Sequence, residues 1–129
     1  MRLVRAVFYF EAITNLVSAA FALFLPGAFL GHFVSEPLPV GAVEFGRWYA
    51  VLLVVLSLVL LAALREGSDR FLRPVIGAYL VGDALQIGVA IQLGSAAGAS
   101  GLPVHAAIWT SAFYAVVRIY YLVGTRRQP

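Results

Sequence analysis

Residues 51–64 read VLLVVLSLVLLAAL: fourteen positions carrying one hydroxyl and no charge. A surface helix of a soluble protein keeps a polar face, and this stretch has none. Carried upstream to Phe45, the run reaches about 20 residues, the length at which a helix crosses a hydrocarbon core. A chain of 129 residues has no interior large enough to hide it, because small globules bury only about two thirds of their surface.

Three more runs of similar length flank it. One covers about 3–25 and closes at Pro26-Gly27, where proline and glycine punctuate the chain. Another covers about 72–93 and begins just before Pro74, a residue tolerated in the first turn of a helix. The last covers about 104–123, behind Pro103. Hydrophobic residues make up 62% of the sequence and charged residues 12%, against roughly half and a quarter in soluble domains. The expected fold is a single all-α domain, 1–129: an integral membrane antiparallel four-helix bundle with helices at about 3–25, 45–64, 72–93 and 104–123.

The connections fit that reading. Residues 27–44 carry Pro37, Pro39 and three glycines and are expected to form a partly ordered loop. Residues 65–70, REGSDR, form a short charged turn suited to an antiparallel helix pair. Residues 94–103 are Gly, Ala and Ser-rich and uncharged. The first run has features of a cleaved leader, namely Arg2, Arg5 and Ala20-Phe21-Ala22. Glu11 and Asn15 interrupt its apolar core, so it is read as a retained helix.

The net charge of +3 comes entirely from arginine on the basic side. Arg2, Arg5, Arg65, Arg70, Arg73, Arg126 and Arg127 fall on one set of faces and only Arg47 on the other. Arginine-rich segments stay in the cytoplasm, so both termini and the middle turn are expected inside, with His32, Glu36, Glu44 and His105 outside. The same placement argues against a nucleic-acid partner and points to a multi-pass protein of a cell membrane, the inner membrane of a bacterium. Arg126-Arg127 suit anionic headgroups. Without cysteine there is no disulfide and no Cys-based metal or redox site. His32 and His105 lack the spacing of a ligand motif, so neither metal nor cofactor is expected.

The informative residues are those that do not belong in lipid. Phe8, Glu11, Asn15, Ser18 and Ala22 recur at helical steps on one stripe of the first helix. Tyr79, Asp83 and Gln86 do so on the third, and Thr110, Tyr114, Arg118 and Tyr121 on the fourth. The second helix offers little beyond Ser57 and reads as the lipid-facing member. From its outer-end residues, Glu44, Arg47 and Trp48 read as an interfacial anchor. At a rise of 1.5 Å per residue, Glu11 lies roughly 12 Å, Asp83 roughly 16 Å, Tyr114 about 13 Å and Arg118 about 7 Å from the inner edge. They therefore fall within about two turns of one another. Gly27-xxx-Gly31 and Ala84-xxx-Gly88 are spacings that permit close helix contact.

An ionisable side chain inside a bilayer costs on the order of 3 kcal/mol or more and commonly marks function. The plainer reading is a structural ion pair of Arg118 with Glu11 or Asp83, with Asn15 and Gln86 bonding between helices. Two carboxylates against one guanidinium leave an excess negative charge, so one acid is protonated or a proton is shared. Two acids in different surroundings divide into donor and acceptor. Such a pair protonates an alkene or epoxide and removes a proton elsewhere without a cofactor. Glu11 and Asp83 are the expected acid–base pair, tuned by Arg118. Asn15, Tyr79, Gln86 and Tyr114 are expected to position substrate, with Phe8 and Trp109 as cavity walls; ring faces also stabilise a carbocation.

This polar first helix, with its N-terminal Arg and Gly-rich helix ends, resembles in layout the small four-helix DoxX-like membrane proteins. The placing of Glu11, Asp83 and Trp109 also resembles the emopamil-binding (EXPERA) group, whose members bind sterols and related amines between four helices. Integral membrane terpene cyclases, built around paired acids, are a third likeness. Each covers layout, not a residue motif, and layout alone does not carry function.

The leading expectation is a lipophilic small molecule (isoprenoid, sterol-like or polyketide) bound inside the helices, with acid–base isomerisation, cyclisation or epoxide opening. One rival is a small proton-coupled transporter, as a homo-oligomer, with Glu11 as its coupling acid; small multidrug exporters share the size and a first-helix Glu. Another is a structural or accessory subunit of a membrane complex.

Overall fold

The computed structural model describes residues 1–34, 37–96 and 101–126, and among these every regular element is helical. α1 spans Arg2–Phe24, α2 Pro26–Gly31, α3 Val40–Glu66, α4 Asp69–Ala96 and α5 Leu102–Arg126. Four of them, α1, α3, α4 and α5, are long and apolar enough to cross a membrane. Glu36 and Arg127, expected on opposite faces, lie outside the described residues.

Helices cover all four expected runs, and all but the first are longer than their apolar runs. Backbone hydrogen bonding continues where side chains turn polar, so hydropathy clips helix ends. α4 begins at Asp69 because the Ser68 hydroxyl accepts the Arg70 N–H (3.2 Å), with an acid in the first turn. Pro74 is therefore interior to α4 rather than in its first turn. The segment after Pro26 is not simply a loop: Pro26 opens the six-residue α2, where its missing N–H costs nothing. α3 starts at Val40, directly behind extended Pro39, and ends at Gly67 with φ 75°. That left-handed turn suits glycine, and the Arg5 guanidinium caps it by donating to the Gly67 carbonyl at 2.8 Å.

The long helices pack as two pairs, α1 with α3 and α4 with α5, which meet through α3 and α4; α2 tucks between α1 and α3. The expectation that the 45–64 helix only faces lipid is corrected here. Its seam of Gly46, Ala50, Ser57, Leu60, Ala63 and Leu64 is buried. Ala12, Ala19 and Ala22 are buried on α1. Small residues let two backbones approach, and the helix is aliphatic on its outer side as well, so hydropathy hides the seam. The glycine spacings singled out above make no such contact within the chain. A Cβ on Gly27, Gly31 or Gly88 would meet nothing within 4 Å.

Packing is uneven along the long axis. Phe8, Ala12, Leu60, Ala63, Leu64, Leu72, Ile76 and Tyr121 form one core. All lie in the halves of their helices nearest the termini and Gly67. Below it, Asp69 accepts from Arg5 (2.8 Å) and from the Tyr121 hydroxyl (2.5 Å), while Arg73 donates to Thr125 (3.2 Å). Phe8 meets the Tyr121 ring edge-on, centroids 5.7 Å apart. This end is closed by apolar packing and a polar clamp. Tyr121→Phe keeps the ring contact and removes one bond to Asp69, whose side chain is 40% exposed. Water replaces part of that bond, so the expected loss is about 1 kcal/mol, read from the unfolding midpoint in detergent.

Candidate functional site

Above this core the two pairs are joined by one charged residue. Arg118, on α5, is fully buried. Its Nη1 donates to Oδ2 of Asp83 on α4 and its Nη2 to Oε1 of Glu11 on α1. The guanidinium also lies over two aromatic rings, 5.1 Å from the Tyr79 centroid and 5.4 Å from that of Tyr114. Helical spacing explains the convergence. Glu11 follows Phe8 by one turn, as Arg118 precedes Tyr121, so the stripes that build the core carry the charges just above it. Arg118 is held by two carboxylates and two ring faces at once.

These bonds do not use every polar atom. Glu11 Oε2, the Tyr79 hydroxyl and Arg118 Nε are buried without a hydrogen-bond partner. Buried polar atoms are normally satisfied, and leaving one bare costs about 1–3 kcal/mol, more when charged. Glu11 and Tyr79 both line a cavity of about 270 Å³ that opens above the ion cluster. Asp83, Asn15, Ser18, Gln86, Ser111 and Tyr114 line it too, with Tyr49, Leu53 and Leu56 of α3 and Phe29 and Phe33 from the α2 region.

The sequence-derived residues divide as follows. Glu11, Asp83 and Arg118 meet; Asn15, Tyr79, Gln86 and Tyr114 stand on the cavity wall. Phe8 does not: it is sealed in the core beneath the site, where it packs on Tyr121. Trp109 is also displaced from its expected place as a wall, being 72% exposed on the outside of α5. It falls one residue from Thr110, and that single step of about 100° turns its ring outward. Glu44 pairs with Arg47 beside exposed Trp48 at the far end of α3.

Tyr49, Phe29 and Phe33 were not anticipated. Tyr49 interrupts an aliphatic helix with a hydroxyl, a signal that the neighbouring charged residues masked. Phe29 and Phe33 are four residues apart in a segment whose prolines suggested a loop. The turn that follows α2 carries Phe33 back over Phe29, ring centroids 5.5 Å apart.

Comparison with protein-family models, with curated proteins and with solved structures finds no match to this chain. The likenesses of layout therefore supply no residue correspondences, and function has to be argued from the site.

Proposed function

We propose that this chain is a multi-pass protein of a cell membrane, its termini and the 65–70 turn on the cytoplasmic side. Four helices of sufficient length support the first part, and the arginine distribution the second. A skin of exposed Leu, Val, Ile and Phe along the helices gives lipid a surface to cover.

Within it, we propose, the cavity binds a lipophilic small molecule, and Glu11 and Asp83 move protons on that molecule without a cofactor. The observation that carries this reading is Glu11 Oε2, a buried carboxylate oxygen with no partner on a cavity wall. A carboxylate kept only for an ion pair needs no second oxygen left without a partner beside a cavity. One proton shared between the two acids leaves the cluster neutral. The protonated acid then delivers a proton to one carbon of an alkene, and the other acid removes one from a second carbon. Substrate and product have the same composition, so isomerisation and cyclisation both fit. The pair ends with its proton on the opposite acid, and exchange with water resets it.

That reset makes the reading testable. The purified protein in lipid nanodiscs is incubated in D2O with a total lipid extract and with mixed isoprenoid, sterol and polyketide lipids. Carbon-bound deuterium in a product resolved by mass spectrometry is the expected result. No converted or deuterated compound, with the protein folded, overturns the proposal. The transporter reading is less well served, because the core and the Asp69 clamp close the termini end beneath the cavity.

A further inference from the structure

The cavity is small for a complete ligand. Its 270 Å³ falls short of the roughly 300–1,000 Å³ of sites that enclose drug-sized molecules. It is not isolated, however. An apolar cleft of about 610 Å³ lies against it, lined by Gly82, Leu85, Val89 and Leu93 of α4, and by Val104 and Ala107 of α5. Five residues, Phe29, Phe33, Tyr49, Gln86 and Ala107, border both spaces. The polar chamber and the apolar cleft therefore lie side by side and share a wall. The cleft's α4 wall includes Leu85 and Val89, side chains exposed on the surface of the chain.

Resting on the binding half of the function proposed above, we infer that the ligand is an amphiphile with a hydrogen-bond-donating head and one long apolar chain. The head donates to Glu11 Oε2 and bonds to the Tyr79 hydroxyl; the chain lies in the cleft between the α4–α5 pair and the facing Phe29, Phe33 and Tyr49. The occupant is set by chemistry at both ends. With the shared proton on Asp83, Glu11 Oε2 accepts a hydrogen bond and donates none, so a hydroxyl or ammonium fits there and a carboxylate does not. The cleft offers its occupant chiefly Leu, Val, Ala and Phe surface, which suits hydrocarbon. The shared wall and the exposed Leu85 and Val89 make sideways arrival from the surrounding lipid the direct route. The packed core and clamp block the route from the termini end.

Gly82 gives the means of test. A Cβ there would meet nothing within 4 Å, so Gly82→Phe extends into open space and replaces a poor helix former. A long-chain alcohol with a photoreactive diazirine near its chain end is bound to the protein in nanodiscs, irradiated, and the labelled peptides mapped. Label concentrated on Leu85, Val89 and Ala107 is expected. Gly82→Phe should suppress that label, and Glu11→Leu should lower it about tenfold or more, by loss of a charged hydrogen-bond acceptor. A diazirine alkane without the hydroxyl should show no preference for the cleft.

Equal labelling of the cleft and of outward residues such as Val51 and Ile119 would mean that bulk lipid alone occupies it, which overturns the inference. So would cleft labelling indifferent to both substitutions. Label that two copies of the chain bury between them, lost on dilution into excess lipid, would make the cleft a dimer face and also overturn it. The readout needs no turnover. Specific labelling without deuterated product leaves this inference standing and removes the proton transfer, and conversion with random labelling does the reverse.

Discussion

Replacing Arg118 with methionine is expected to destabilise the folded protein by about 3–5 kcal/mol, a magnitude typical of breaking a buried ion pair from one side. Arg118 is fully buried, Glu11 is 4% exposed, and both acids depend on the same guanidinium. Without it two carboxylates are left beside the cavity with no counter-charge between them. The penalty is larger than for a surface ion pair, which contributes about 0–1 kcal/mol. Unfolding in mixed detergent, followed by helical signal, measures it. The companion variant carries Glu11→Leu, Asp83→Leu and Arg118→Met together. Here nothing charged remains, and the triple change is expected to be neutral or stabilising by about 1–4 kcal/mol. A triple variant as unstable as Arg118→Met would show that packing volume, not charge, sets the cost.

The second expected result separates stability from chemistry. Glu11→Gln and Asp83→Asn should each lower conversion of the deuterium-accepting substrate by about 10²–10⁴-fold, the range of a lost general acid or base. Both should stay folded, since each leaves Arg118 one carboxylate partner. The two differ in what they retain. Both acids line the cavity and each gives one oxygen to Arg118, but the second oxygen of Glu11 is buried without a partner, whereas the Asp83 side chain is 12% exposed. The larger loss is therefore expected at Glu11. Wild-type conversion by both variants, with intact folding, would reduce the cluster to a structural tie between α1, α4 and α5. The triple variant then serves as control: stable and inert if the charges do chemistry, stable and active if they do not.

Much of this arrangement is legible in the sequence because lipid-scale helices leave few choices. Charges at positions 11, 83 and 118 lie on three different apolar runs, where an ionisable group is costly without a partner of opposite charge. Stripes at helical spacing then give the inward faces, as with Glu11 and Asn15. The method fails where polarity stops being informative. Trp109 sits beside an inward-facing position and points out. Phe8 shares the inward stripe but lies below the cavity floor, because the stripe gives direction around the helix and not whether neighbours leave space. The small-residue seam of α3 is hidden for a related reason: on a helix that is aliphatic all round, burial by protein and cover by lipid have the same hydropathy.

By itself, then, the sequence determines four long apolar runs, their alternation, the side that collects arginine, and three charged residues at similar depth on three of the runs. Each follows from a cost paid locally, by a single side chain or a single span. Only the tertiary structure decides that α3 is the close partner of α1, that the three charges meet, that the termini end is packed shut, and that an apolar cleft adjoins the cavity above them. Those are properties of the volume left between helices. They depend on how side chains from four or five elements fill a common space, and no one of those elements carries that information in its own residues.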